Sequence, residues 1–235
     1  MSATQNAPSP KALMRLYSLS RKRFGFLNWW PGDGPFEVIV GAVLTQQTSW
    51  NNVAKAIAAL KSAGKMTLNS ICSIKTEELE KLIRPSGYYR QKSKRLKALC
   101  LHIKRKHSTL EAFLSQEKGA LREELLSISG IGKETADSII LYAAGKPIFV
   151  IDAYTKRILS KVFGMQEDMD YDSMQAMFQE RIRPNARLYN DMHAQFVEIG
   201  KNYCRKSEPA CRACPINKMC AYAKETAAPN SASDK

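Results

Sequence analysis

Leu125-Leu126-Ser127-Ile128-Ser129-Gly130-Ile131-Gly132-Lys133-Glu134-Thr135-Ala136 sets two apolar-periodic runs on either side of a Gly-Ile-Gly turn. Its apolar spacing predicts one helix ending at Ser129 and a second from about Glu134 to Ala144. Gly130-Ile131-Gly132 must turn tightly between them, and two glycines admit the positive φ and close approach such a turn requires. Ile131 is placed to plug the gap between the helices. The turn then aims the N–H groups of Gly130, Gly132 and the next helix's first turn outward, where the helix dipole favours an anion. The unit reads as a helix-hairpin-helix over residues 125–144, suited to gripping a DNA phosphate without reading sequence. Gly-x-Gly alone also serves purely steric turns; the flanking Leu-Leu and Lys-Glu-Thr-Ala favour the DNA reading. Gly130, Ile131, Gly132, Lys133 and Thr135 are its candidate DNA-facing residues.

Outward from the hairpin, the dominant period is helical. Phe36, Ile39, Val40, Val43 and Leu44 fall on one helix face. Thr76 is the expected N-cap of the helix EELEKLI, which Pro85-Ser86-Gly87 ends. Leu96, Leu99, Cys100 and Ile103 repeat the pattern on a strongly basic helix, with Cys100 and Cys72 read as small core residues. The only β-branched run, Ile148-Phe149-Val150-Ile151, is too short and isolated to build a sheet. An all-α fold is expected.

The 235 residues carry 36 Lys+Arg against 22 Asp+Glu, so the net charge is 36 − 22 = +14, with 44% hydrophobic and 25% charged residues. That composition belongs to a globular protein of one large or two small domains. Its charge suits a polyanionic partner such as nucleic acid, although a solvated basic surface has the same composition. No apolar run approaches the roughly 20 residues of a membrane span. MSATQNAPSPKALMRL has neither the charged start nor the apolar core of a signal peptide, so a cytoplasmic protein without membrane attachment is expected. Residues 1–10 and 223–235 read as disordered tails.

Two further features carry chemistry. Asp152 follows the apolar run and opens a helix with Ile158 and Leu159 on its inner face. An N-cap is the ordinary role of such an aspartate. Beside a phosphate-gripping hairpin, the same carboxylate can stabilise oxocarbenium-like charge on a deoxyribose and align water. Cys204, Cys211, Cys214 and Cys220 crowd into 17 positions, and four thiolates can close either a zinc site or a [4Fe–4S] cluster. Spacing alone does not choose between them. Arg205, Lys206 and Arg212 lie within this loop, so a structural role that pins a basic surface against the DNA backbone is expected.

Hairpin, Val150-Ile151-Asp152 with Arg157 beyond it, and the terminal four-cysteine loop together resemble the endonuclease III superfamily of DNA glycosylases, over roughly Lys22 to Tyr222. The resemblance implies two helical domains with a DNA-binding cleft between them. A six-helix barrel would span 35–147, and residues 11–34 with 148–222 would form an iron–sulfur domain. It makes Asp152 the catalytic aspartate and the four cysteines the ligands of a [4Fe–4S] cluster. It also implies a monomer acting on double-stranded DNA with a damaged base, in a prokaryote-like, nucleoid-associated setting.

Lyase-type members that this chain resembles carry a Schiff-base lysine directly before Thr-Ala. That position is Glu134 here, and Lys133 lies about 100° away around a helix, which predicts a monofunctional glycosylase. Asn28-Trp29-Trp30-Pro31-Gly32, Leu44-Thr45-Gln46 and Glu134 resemble the 3-methyladenine DNA glycosylase III branch. This places Trp29, Trp30, Pro31 and Trp50 around a flipped base, with Glu134 and Lys201 as further pocket candidates, although paired tryptophans are more often core. Gln47 would fill the gap in the duplex. His193, Val197 and Lys201 share a helix face, with His193 read as a packing histidine and Lys201 left between pocket and surface. Two alternatives stay open: an endonuclease III-like oxidised-pyrimidine glycosylase with lyase activity, and a non-catalytic lesion-sensing module. Adenine- or thymine-mismatch branches fit less well, because they carry Ser or Tyr at the Glu134 position.

Overall fold

The structure, a computed structural model, describes residues 7–27 and 29–227. The outer parts of both expected tails, 1–6 and 228–235, lie outside the described residues. The described residues form thirteen α-helices, joined by loops and short 3-10 or π-helical turns, and contain no strand. None of the helices is long and apolar enough to cross a membrane. The chain divides into two compact units, Met1–Trp29 with Phe149–Lys235, and Trp30–Ile148.

The unit Trp30–Ile148 holds α2 (Pro35–Leu44), α3 (Trp50–Ser62), α4 (Leu68–Ser73), α5 (Thr76–Ile83), α6 (Tyr89–Lys106), α7 (Leu110–Ser115), α8 (Lys118–Ser127) and α9 (Lys133–Ser138). Helix α2 departs from the one-faced expectation. Every residue from Glu37 to Leu44 is buried while Phe36 stays half-buried, because other helices cover α2 on several sides. Lys75, not Thr76, caps α5, and Arg84–Ser86 continues it as a 3-10 turn. The basic helix α6 buries Leu96, Leu99, Cys100 and Ile103 completely, whereas Cys72 on α4 is half-buried. It also buries Lys92, whose Nζ donates to Leu44 O (2.9 Å) and Ser86 O (2.7 Å). The ammonium thereby satisfies carbonyls at two helix ends.

The other unit holds α1 (Pro10–Phe24), α10 (Ala153–Phe163), α11 (Tyr171–Arg181), α12 (Ala186–Asn202) and α13 (Ala221–Ala227). Pro10 already belongs to α1, capped by Ser9, and the expected tail from 223 is helical as far as Ala227. Tyr17 Oη donates to Asp191 Oδ2 (2.6 Å), and the backbone N–H of Leu27 to Asp191 Oδ1 (2.9 Å), which ties α1 and its following loop to α12. The Phe149 and Phe178 rings stack at 3.7 Å, with Tyr189 edge-on at 5.4 Å. The β-branched run forms no strand, because its polar groups find side chains instead. Gln179 Oε1 accepts from Phe149 N (3.1 Å), and Gln175 Nε2 donates to Phe149 O (2.6 Å).

Candidate functional site

Helix α8 ends at Ser127, two residues before the expected end, and α9 begins at Lys133. Past Ser138 the second helix widens into a π-helical turn, Ile139–Ala143, instead of continuing as α-helix to Ala144. Only Gly130 takes the left-handed conformation (φ 84°); Gly132 is extended (φ −91°, ψ 175°) and stands as N-cap of α9, so the expectation of two positive-φ glycines holds for one. Ile131 is buried as a plug. Thr135 is buried too, so its side chain serves the interior rather than a ligand. Gly132, Lys133 and Glu134 are exposed. Arg122 grips the fully buried Asp137 (Nε–Oδ1 2.7 Å, Nη2–Oδ2 3.2 Å), which clamps α8 to α9.

The loop after α2 approaches this hairpin. Gln46 Nε2 donates to Gly130 O (3.1 Å) and to Thr135 Oγ1 (3.0 Å), while Arg95 Nη1 donates to Gln46 Oε1 (2.5 Å). Gln47, next in the chain, is exposed and left-handed at φ 55°. The sequence gives Gln46 no role beyond its place in Leu44-Thr45-Gln46, because its partners lie 84 and 89 residues away.

Trp30 and Trp50 meet edge to face with centroids 5.3 Å apart, and Tyr142 of the π-helical turn tilts against Trp30 at 5.2 Å. A Cβ on Gly41 would come within 3.1 Å of Trp30 Nε1, so α2 lies directly against the indole. Nothing local in the sequence marks Tyr142 for this cluster. Trp29 is half-buried and Pro31 exposed. Lys201 is surface-exposed and pairs with Glu198 Oε1 (2.9 Å) on its own helix. That pairing sets a carboxylate beside its charge.

Asp152 caps α10: its Oδ1 accepts the Thr155 N–H at 2.7 Å. Its Oδ2 lies 3.5 Å from His193 Nε2 on α12, with the carboxylate 13% and the imidazole 6% exposed. Burial works to raise the Asp152 carboxyl. The His193 imidazole, with the bond from the Thr155 amide, outweighs it and holds the group below the ordinary aspartate value. His193 does pack edge-on against Phe149 (6.2 Å, 81°), but it also faces the carboxylate, which its reading as a packing residue omitted. A buried carboxylate in this setting can stabilise adjacent positive charge and accept a proton from water.

The four C-terminal cysteines line one small cavity together with Ile158, Val162, Ile216, Tyr203 and Tyr222. Among the described residues no group of three or more His, Cys, Asp or Glu converges closely enough to hold a single metal ion. Arg157 Nε donates to Cys204 O (2.7 Å) and closes the end of α12 onto α10. Burial pushes the Cys214 thiol up to about 11. Arg205 and Lys206 are exposed beside this loop, with Arg205 bonded to Glu208 O (3.2 Å).

A family model described as HhH-GPD superfamily base excision DNA repair protein matches residues 40–184. A relative from Methanocaldococcus jannaschii named "Putative DNA repair glycosylase" is 40% identical over 210 residues, covering 88% of this chain and 95% of its own. Endonuclease III of Thermotoga maritima is 27% identical over 188 residues, covering 80% of this chain and 83% of its own. Among solved structures, H. pylori 3-methyladenine DNA glycosylase bound to 1,N6-ethenoadenine superposes with TM-score 0.71 at 34% identity, over 82% of this chain and 96% of that one. A non-covalent endonuclease III–DNA complex superposes with TM-score 0.78 at 22% identity, over 93% and 98%, a likeness of fold.

Proposed function

The chain belongs to the HhH-GPD superfamily of base excision DNA repair proteins, and on that footing we propose that it is a monofunctional DNA N-glycosylase for alkylated, 3-methyladenine-like purines in duplex DNA. The observation that carries the reading is the setting of Asp152, a buried carboxylate fixed by the Thr155 amide and kept ionised beside His193. As the glycosidic C–N bond breaks, its electron pair leaves with the base and positive charge develops on the deoxyribose. Asp152 stabilises that charge and takes a proton from the water that adds to C1′. A purine alkylated at N3 or N7 is already cationic and leaves as a neutral base, so little acid catalysis is needed.

Glu134 supports the monofunctional half of the proposal. It is an exposed carboxylate where lyase-type members resembling this chain carry an amine, and a carboxylate forms no Schiff base. The product is then an abasic site. Electron-rich rings such as Trp30, Trp50 and Tyr142 suit a stacked cationic base, worth on the order of 1–2 kcal/mol when desolvated. The H. pylori 3-methyladenine glycosylase, at 34% identity, adds weight to this substrate class over the endonuclease III alternative, at 27%.

In this reading the exposed hairpin residues Gly132 and Lys133, with Arg205 and Lys206, meet phosphates, and Gln47 fills the space of the flipped base. The protein acts as a monomer. Cys204, Cys211, Cys214 and Cys220, the four thiols lining one small and largely apolar cavity, would hold a [4Fe–4S] cluster. When bound, the cluster supplies a structural staple for the basic loop and takes no part in base release.

The test is single-turnover incubation with a duplex carrying 3-methyladenine, analysed with and without alkali. Free methylated base with strand breaks only after alkali is the expected result. Breaks without alkali would replace the monofunctional reading with a lyase, and no release from any methylated purine would overturn the substrate class.

A further inference from the structure

Gln46 is held on both faces of its amide. Its Oε1 accepts from Arg95, which leaves Nε2 aimed at Gly130 O and Thr135 Oγ1, one on the hairpin turn and one on the helix that follows. Arg95 also reaches the turn directly, since a Cβ on Gly130 would fall 2.4 Å from Arg95 Cγ. The aliphatic stem of Arg95 therefore lies across the turn while its guanidinium orients the glutamine. On the other side of Gln46, Gln47 keeps a left-handed backbone at φ 55°. A non-glycine residue stays there only where its surroundings over-determine it. Those surroundings are the Gln46 bonds on one side, and on the other Thr48 N to Thr45 O (3.2 Å) and Asn52 Nδ2 to Thr48 Oγ1 (3.3 Å).

We propose that Gln46 is a positioning residue: oriented by Arg95, it locks the loop bearing Gln47 to the hairpin turn, so that wedge and phosphate grip meet the duplex as one rigid body. The inference rests on the reading above in which Gln47 enters the duplex and the hairpin holds its backbone. Its consequence is a division of labour. Loss of the Gln46 donors leaves the exposed cations that attract DNA in place. It lets the wedge and the grip move independently, which penalises the extruded state that needs both at once.

The test uses full-length Gln46→Glu, which keeps the length and the Arg95 partner but removes both amide donors. Arg95→Met is a second variant that reaches the same contact from its other side. Amide hydrogen exchange of residues 45–48 and 128–134 is measured on each, beside affinity for undamaged duplex and the single-turnover rate of 3-methyladenine release. The expected result is faster exchange in both segments together and single-turnover release at saturating enzyme slowed about tenfold, beyond any loss of affinity for undamaged duplex. Unchanged exchange in either segment would overturn the proposal. So would faster exchange with a wild-type release rate, which would make the contact merely structural. The exchange arm needs no substrate: if the wild-type protein releases no methylated base, the assigned activity fails while exchange still decides whether Gln46 couples the two segments.

Discussion

His193 Nε2 stands 3.5 Å from Asp152 Oδ2, across two helices whose facing residues are separated by 41 positions in the chain. The carboxylate is buried deeply enough that desolvation alone would favour its neutral form, and the imidazole is the largest influence acting the other way. Replacing His193 with Phe, which keeps an aromatic ring against Phe149, therefore raises the Asp152 carboxyl. The carboxylate is the working form, so the acid limb of base release moves to higher pH. The variant, compared with the wild type at each pH, is expected to lose activity severalfold more at pH 5.5 than at pH 8. Single-turnover rates across that range check this, and parallel profiles would remove His193 from the electrostatics.

The two hairpin glycines are not equivalent. Gly130→Ala puts a side chain at φ 84° and drives its Cβ against the Arg95 stem, whereas Gly132→Ala meets no atom within 4 Å at an ordinary φ of −91°. The first is expected to cost about 1–3 kcal/mol of folding stability and the second less than about 0.5 kcal/mol. Urea unfolding of both variants decides it, and equal losses would contradict the geometry.

Lys92 makes stability depend on pH in an unusual direction. Burial, and then Arg95, push its ammonium down to about 8 from an ordinary 10.5. Between those values the unfolded chain holds a proton that the folded protein has released, so stability rises with pH across the window. The rise is on the order of 3 kcal/mol at most. Lys92→Met lacks that rise. Urea midpoints of both proteins from pH 7.5 to 10.5 test it: a widening gap in favour of the wild type is expected, and a constant gap would contradict it.

Much of the helical architecture is legible from spacing. On α6, the positions Leu96, Leu99, Cys100 and Ile103 lie on the buried face, and Asp152 caps α10. Features that depend on residues far apart in the chain escape. Helix α2 needs covering helices to bury it all round, and the Arg122–Asp137 clamp pairs residues 15 positions apart across a turn. Gln46 and His193 look like a loop amide and a core histidine until their partners, 84 and 41 positions away, are brought beside them. Tyr142 joins Trp30 through a π-helical turn that leaves no periodic signature. Lys201 shows the reverse: its partner Glu198 is an i,i+3 neighbour on the same helix, a pairing that the sequence spacing alone allows.

The chemical claim stands on one carboxylate, and Asp152→Asn isolates it. Asparagine caps a helix about as well as aspartate and can still accept the Thr155 N–H, so the fold and duplex binding should persist while the negative charge is gone. Release of 3-methyladenine from duplex DNA under single-turnover conditions is predicted to fall at least about a hundredfold, with melting temperature and DNA affinity unchanged. Release at the wild-type rate would contradict the assignment of Asp152 to the chemistry.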